Sequence, residues 1–328
     1  MINGEFKGLL NKNIKVKSLY PKAFDEYNTI QKKIISFKLL ALKKHIYRKY
    51  IENNYDVEVA FLEGPITNLL SVKNTKTSKI AWIHNDINLV FGKTLKSKIK
   101  KIYNKKIYSK YQRLVFVSKH NLQKFEECYK LNVPKEVVHN YLNKQNVIEK
   151  AKESVQDFQN ENTINFLTVA RLVNQKAIGR LISVHEKLIK NGYNHKFYVV
   201  GDGPLRNELE QKIKDLNLGQ TFILLGQKEN PYPYIKQADY FCLLSYYEGL
   251  PMVLLEAKQL NKYIIITDTA SREALEGYEN KLIVENSENG IYEGLKNVIE
   301  NQYKPIIKEE NDDENKKVIE KISNILGE

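Results

Sequence analysis

A chain of 328 residues with a hydrophobic fraction of 42% has room for two domains with packed cores. It excludes a membrane-spanning helix, because no run reaches about 18 apolar residues, and Met1-Ile2-Asn3-Gly4-Glu5-Phe6-Lys7 lacks the apolar stretch of a signal peptide. The net charge of +13 is uneven: residues 1–150 hold 30 Lys and Arg against 12 Asp and Glu, and the remainder 22 against 27. Of the basic residues 46 are Lys and six Arg. AT-rich codons account for part of that excess, but codon bias does not confine it to one half. The asymmetry points to an anionic surface or ligand near the first half. Cys128 and Cys242 lie far apart without metal-ligand spacing and read as buried thiols of a reducing compartment.

Residues 1–13 read as a loop. Alternation over 14–20, closed by Pro21, predicts a strand, and Ile30, Ile34, Leu39, Leu42 and Ile46 recur at roughly helical spacing over 25–52. Strands are predicted at 57–62, stopped by Gly64-Pro65, and at 79–84, with a short helix at 66–72 between them. Residues 93–110 carry eight lysines and no acid, with Leu95, Ile99, Ile102, Tyr103 and Ile107 on one helical face. Two readings of this helix stand together: a solvated helix packed on its own domain, and a surface whose lysines meet anionic lipid. A strand at 113–118, a helix at 119–129 and a short strand at 135–140 follow. The polar segment 151–162 reads as the domain boundary.

The second half alternates more clearly. Strands are predicted at 164–170, 196–200, 221–225, 240–244, 263–267 and 281–284. Helices are predicted at 177–191, 205–216, 232–237, 250–260, 271–275 and 287–300, and a charged helix at 309–326 follows Pro305. Strands separated by helices of this length indicate βαβ units, a parallel sheet and the α/β class. Ligands of such sheets bind outside the carboxyl ends of the strands, which puts Arg171, Gly201-Asp202-Gly203-Pro204, Gly226 and Glu248 at one rim.

Glu248-Gly249-Leu250-Pro251-Met252-Val253-Leu254-Leu255-Glu256 joins a strand to a helix, with a carboxylate at each end and seven residues between. Gly249 lets backbone approach a ligand, Pro251 suits a first helical turn, and the helix N-terminus presents free N–H groups to an anion. The spacing alone leaves a second reading open, a helix start with an acidic cap and a surface Glu. Arg171 and Lys176 together suit a diphosphate; singly, each is a surface cation. The Gly201 to Pro204 loop is either a ligand loop or a tight turn, and it is no GxGxxG fingerprint, so no dinucleotide follows. His84 ends a strand, as a ligand contact or as a structural histidine.

Taken in order, Arg171-Leu172-Val173-Asn174-Gln175-Lys176, Gly201-Asp202-Gly203-Pro204-Leu205-Arg206, Leu225-Gly226, Asn230-Pro231-Tyr232-Pro233-Tyr234-Ile235 and Glu248 to Glu256 resemble the family 4 retaining glycosyltransferases of the GT-B fold. The Glu-x7-Glu segment is that family's signature. Residues 56–63, Trp82-Ile83-His84-Asn85-Asp86, Val115-Phe116-Val117-Ser118 and Asn140 are similar to the acceptor domain of its bacterial polysaccharide and capsule members. The resemblance implies two Rossmann-like domains facing across a cleft: an acceptor-side domain at 1–150, a donor-binding domain at 151–308, and a terminal helix at 309–328 packing back on the first domain.

The same resemblance implies retaining transfer of a sugar from a nucleotide-sugar, UDP- ahead of GDP-, to a saccharide or lipid-linked saccharide in surface polysaccharide synthesis. The enzyme would be cytoplasmic and peripheral on the inner face of the plasma membrane, touching it through residues 93–110. Position by position, Arg171 and Lys176 bind the donor diphosphate and stabilise it as it leaves, with Gly203 in the same donor site. Glu256 binds the ribose hydroxyls. Glu248 and the Gly249-Leu250-Pro251-Met252 backbone hold the transferred sugar, and His84 contacts it from the other domain, making Glu248 and His84 the expected catalytic residues. The chemistry agrees, because glycosyl transfer develops negative charge on the diphosphate where fixed cations and helix-start amides sit. The sequence has no Asp-x-Asp motif, so neither a metal nor another cofactor is expected.

Two departures from the family pattern stand out. Ala177 occupies a position where Gly commonly follows the lysine. Family members also begin with an apolar strand, a Gly-rich loop, a helix and a second strand, none of which residues 1–13 contain. A shortened acceptor domain is therefore expected, with an unpaired sheet edge and room for completion by a second subunit. The corresponding alternative is a non-catalytic or partner-dependent nucleotide-sugar-binding subunit. Nucleic-acid binding is not expected, since no recognition module accompanies the lysines.

Overall fold

The computed structural model describes residues 12–16, 19–21, 26–51, 55–84, 95–158, 163–306 and 313–327. The chain divides into two compact units, Met1–Phe116 with Asn121–Val137, and Val117–His120 with Val138–Glu328.

The first unit is a parallel sheet in chain order, β1 (Val57–Ala60), β2 (Ser78–Ile83), β3 (Arg113–Phe116) and β4 (Lys135–Val137). Helices α1 (Thr29–Ala41), α2 (Lys43–Tyr50), α3 (Pro65–Leu70) and α4 (Leu95–Tyr108) accompany it, and α5 (Lys119–Cys128) follows β3. A capping box starts α1: Asn28 Oδ1 accepts the Gln31 N–H at 2.9 Å and Gln31 Oε1 accepts the Asn28 N–H at 3.2 Å. The helix expected over 25–52 is two helices, broken at Leu42 (φ −105°, ψ 17°). Past the break, Lys43 Nζ reaches Asn68 Oδ1 at 2.9 Å, and Tyr47 enters the core.

The strand expected over 14–20 does not form in the described residues. Residues 12–16 and 19–21 are turn and loop, and 17–18 lie outside the description. A strand needs a neighbour to take its backbone bonds, and among the described residues no strand lies beyond β1. Tyr20 instead packs edge-on to Tyr27 at 6.4 Å.

The apolar stripe expected on 93–110 splits. Ile107 is buried while Ile99 and Ile102 are exposed, and residues 93–94 and the side chain of Leu95 lie outside the description. Among the described side chains of α4, those of its C-terminal turn meet the core, where Tyr108 packs on Phe125 at 5.2 Å and on Tyr129 at 6.0 Å.

The second unit is a six-stranded parallel sheet, β5 (Ile164–Val169), β6 (His195–Val200), β7 (Phe222–Gly226), β8 (Tyr240–Leu243), β9 (Tyr263–Thr267) and β10 (Lys281–Val284). Their spatial order is β10-β9-β8-β5-β6-β7. The order reverses between β5 and β8, the switch point where α/β sheets open a ligand crevice. Between strands run a 3₁₀ turn (Asn174–Lys176), α7 (Ile178–Lys190), α8 (Arg206–Asp215), α9 (Tyr232–Gln237), α10 (Met252–Gln259) and a second 3₁₀ turn (Ala270–Leu275). The unit also holds α6 (Lys144–Lys150), α11 (Glu288–Asn301) and α12 (Asp313–Leu326). Phe166, Phe197 and Phe222 stack along three neighbouring strands at 5.6 and 5.5 Å. They share one core with Leu181 and Leu188 of α7 and with Leu295 and Val298 of α11.

The compact units part at Val137/Val138, ahead of the sequence boundary at 150. The intervening segment is bonded into the second unit: Asn140 Nδ2 donates to the Leu250 carbonyl, and Asn230 Nδ2 donates to the Lys150 carbonyl. The polar stretch read as a linker is packed too, with Asp157 accepting from Tyr234 at 2.7 Å and Phe158 on Tyr198 at 4.4 Å. Helix α12 bonds to that same unit, through Asn315 to Leu142 and Glu314 to Lys258. Among the described residues no helix is long and apolar enough to cross a membrane.

Candidate active site

The loops that follow β5, β6, β7 and β8 at the carboxyl end of the sheet carry most of the residues singled out in the sequence. Leaving β5, the chain passes Leu172, which the Gly201–Pro204 loop clamps: Leu172 N–H donates to the Asp202 carbonyl at 2.9 Å and its own carbonyl accepts from Leu205 at 3.2 Å. This fit requires glycine. A Cβ on Gly203 would lie 2.5 Å from the Leu172 carbonyl oxygen, and one on Gly201 (φ +139°) 2.0 Å from that of Ala170. Gly226, at the end of β7, accepts the Gly201 N–H at 2.8 Å. Three loops at the carboxyl end of the sheet are thereby locked into one rim.

Arg171 stands exposed at this rim. Five residues on, the 3₁₀ turn presents Lys176, whose Nζ lies 2.6 Å from Glu248 Oε1. Both side chains are largely buried, so this ion pair is shielded from the screening that weakens surface pairs. Backbone holds it in place: Tyr246 N–H donates to the Gln175 carbonyl at 2.9 Å, and Gln175 Nε2 donates to the Tyr247 carbonyl at 3.0 Å. Beneath the turn, buried Arg180 donates to the Leu244 carbonyl at 2.8 Å, and its guanidinium lies 4.3 Å from the centre of the Tyr246 ring. Burial holds the Arg180 pKa below its ordinary value.

After Glu248 come half-buried Gly249, buried Leu250 and Pro251, the N-cap of α10, which begins at Met252. Pro251 offers no side-chain acceptor, and with the Leu254 N–H bonded to the Pro251 carbonyl at 3.2 Å, the Met252 and Val253 amides are the ones the helix start can offer to an anion. Glu256 sits on the next turn, where Tyr232 OH lies 3.3 Å from Oε1. Burial raises the Glu256 pKa against the lowering effect of that hydrogen bond. Burial, with the carboxylate beside it, pushes Tyr232 up to about 12, so the phenol stays a donor.

His84 belongs to the first unit. It ends β2 half-buried, its N–H donating to Glu63 Oε1 at 2.7 Å and its ring 4.7 Å from Phe61. Among the described residues its buried Nε2 has no hydrogen-bond partner. Burial holds its pKa below the usual histidine value, so the ring is neutral at neutral pH.

Sequence reasoning missed Arg180 and gave Tyr232 no role. Tyr232 lay inside a quoted segment, where its distance from Glu256 hid the pairing. Nothing in the sequence marks Arg180, whose partner, the Leu244 carbonyl just after β8, lies 64 residues along the chain. Among the described residues no cluster of three or more His, Cys, Asp or Glu is placed to hold a metal ion.

Two compact units, each a parallel sheet with intervening helices, are the α/β architecture of the GT-B fold. Solved structures share this fold: HepE of Anabaena, crystallised with UDP, aligns with a TM-score of 0.68 at 14% identity over 87% of this chain and 82% of its own. The family described as Glycosyl transferases group 1 matches residues 149–320. The chain belongs to that family.

Among curated relatives, a Campylobacter jejuni N-acetylgalactosaminyltransferase acting on a diphospho-undecaprenol-linked saccharide is 28% identical over 284 residues, 82% of this chain and 73% of the relative. An uncharacterised glycosyltransferase of Methanocaldococcus jannaschii is 28% identical over 232 residues, covering 69% of this chain but only 57% of that protein.

Proposed function

We propose that the protein transfers a sugar, with retention, from a nucleotide-sugar to a saccharide or lipid-linked saccharide in bacterial surface polysaccharide synthesis. The observation that carries this is the shielded Lys176–Glu248 pair at the β5/β8 switch point, with Arg171 exposed at the end of the same strand. The donor diphosphate draws on Arg171 and Lys176, which frees Glu248 to accept hydrogen bonds from the sugar hydroxyls. Glu256, braced by Tyr232, takes the ribose hydroxyls. Gly203, Gly249, Leu250, Pro251 and Met252 supply the close backbone.

In the reaction the bond from the anomeric carbon to the diphosphate oxygen breaks. The acceptor hydroxyl oxygen bonds to that carbon from the same face, and its proton passes to the departing phosphate. Charge building on the diphosphate is met by the two cations and the start of α10, so transfer is expected to survive EDTA. His84 keeps the catalytic role implied by the resemblance. UDP is favoured as carrier by likeness to HepE, and a lipid-linked acceptor by likeness to the C. jejuni enzyme. Such an acceptor brings the enzyme to the inner face of the plasma membrane, with the lysines of 93–110 toward it.

Calorimetric titration with UDP- and GDP-sugars, followed by product mass and anomeric NMR, tests the reading. Glu256→Ala should weaken donor binding about 10-fold or more; unchanged affinity would remove the site assignment. An inverted product would reject retention. Donor binding with no turnover on any acceptor would make the chain a nucleotide-sugar-binding subunit.

A further inference from the structure

Helix α1 is apolar on two opposite sides. Ile35 and Leu39 are buried in the core of the first unit. At about 100° per residue, Ile30, Ile34, Phe37 and Ala41 fall within about 60° of one another and about 150° from that buried face. Ile30 is 70% exposed and Phe37 68%. Ile34, Phe37, Ala41 and Leu42 line a shallow groove rimmed by Lys33 and Lys38.

Helix α4 repeats the arrangement, with Ile102 72% exposed and Ile99 exposed beside it, among Lys98, Lys105 and Lys106. Both helices pack on α3, and Asn68 of α3 fixes their neighbourhood. Its Oδ1 accepts Nζ of Lys43, the first residue of α2 just past the end of α1, and Tyr103 OH of α4, each at 2.9 Å. Residues 29–51 carry seven Lys and Arg and no acid, and residues 95–110 likewise.

An exposed apolar stripe flanked by lysines is costly in water and fits an interface that is greasy below and anionic above. The charge selects the occupant. A second copy would bring like charges face to face, whereas an anionic headgroup layer attracts every lysine. We propose that α1 and α4 form an in-plane anchor seating the first unit on a bilayer rich in anionic phospholipid. Ile30, Ile34, Phe37 and Ile102 enter the acyl boundary, and the lysines extend into the headgroups. The anchor deepens the lipid-linked acceptor reading and rests on it only for its purpose, since vesicle binding is measured without any transfer.

The test is sedimentation of the full chain with phosphatidylglycerol–phosphatidylcholine vesicles against phosphatidylcholine alone, at physiological salt. Binding to the anionic vesicles only is expected, about 10-fold weaker for Phe37→Asp and for the Lys33→Glu/Lys38→Glu pair. That pair lies on solvated positions and keeps the fold testable by circular dichroism should Phe37→Asp unfold. Phe37→Trp should shift its emission to the blue on anionic vesicles. Sedimentation without that shift would place the membrane contact elsewhere and overturn the role of α1. Equal binding to both vesicles, no binding, or a dimer dissolved by Phe37→Asp would overturn the anchor. Any of these outcomes leaves donor binding by the second unit to stand or fall separately.

Discussion

Each unit buries polar side chains between sheet and helices, and the two do so in opposite electrical states. In the first, Lys79 and Glu58 form an ion pair at 2.9 Å. Lys79 also donates to Tyr47 OH at 3.1 Å and to the Leu70 carbonyl at 2.8 Å, while Tyr47 OH donates to Glu58 Oε1 at 2.5 Å. In the second, the carriers are neutral. Because a carbonyl only accepts, His195 Nδ1–H donates to Tyr193 O at 3.0 Å, which leaves Nε2 to accept from His185 Nδ1–H at 2.8 Å. His185 Nε2 then takes the Thr221 hydroxyl at 2.9 Å. Burial and the neighbouring imidazole push His185 down to about 3, and burial pushes His195 down to about 4. A charged centre fails when one partner is removed; a neutral chain of histidines fails when protons are added.

The largest expected effect comes from breaking the charged centre. Lys79→Met leaves Glu58 buried without its cation and should cost about 3–5 kcal/mol. Trp82 is the single tryptophan and is buried in β2, so its fluorescence during urea unfolding reports the first unit. Glu58→Leu with Lys79→Met should recover most of the loss. A single-variant cost under about 1 kcal/mol would mean the pair does not organise this core.

Acid should act on the other unit. Both histidines have folded pKa values below the unfolded 6.5. Their contribution is therefore complete above pH 6.5 and is lost as pH falls from there toward about 4 for His195 and about 3 for His185, because over that range the unfolded chain binds protons the folded one refuses. The slope reaches about 1.4 kcal/mol per pH unit for each histidine. Hydrogen exchange of β6 amides between pH 7 and 4.5, set against Trp82 fluorescence, should show the second unit loosening first. Simultaneous loosening would dissolve the contrast. Thr221→Val cuts the end of the neutral chain and should cost about 1–2 kcal/mol, read by the same β6 amides, with Trp82 unchanged.

How far these features were legible follows from what periodicity encodes. The second-unit strands were placed within a residue or so, because alternating βαβ units are local patterns, and Tyr263–Thr267 and Lys281–Val284 fell where expected. The rim was legible through glycines whose shape the backbone demands. The strand expected over 14–20 failed because a strand depends on a partner that its own residues do not reveal. Helix α6 was passed over although Asn143 caps it, its Oδ1 accepting the Asn146 N–H at 3.1 Å. The two buried polar centres were invisible, since Tyr47, Glu58 and Lys79, or His185, His195 and Thr221, converge only after the sheets form.

The smallest effect tests a contrast in backbone strain. Among the described residues, the first unit reaches positive φ only at Gly64, whereas the second does so at Ala177, Asn217, Asn261 and Gln302 as well as at glycines. Ala177 and Gln302 have neither glycine's freedom nor asparagine's local bonding, and of the two only Ala177 is buried. It is buried at φ 53°, ψ 29°, between the turn that presents Lys176 and the start of α7. A left-handed alanine costs about 1–2 kcal/mol, and its buried methyl returns at most about 0.8 kcal/mol. Ala177→Gly should therefore stabilise the second unit by about 0.5 kcal/mol in urea unfolding, with Trp82 unaffected and donor affinity within about twofold. A loss of stability would show that the methyl outweighs the strain. A gain accompanied by weaker donor binding would show that the strained turn helps to aim Lys176 at the diphosphate.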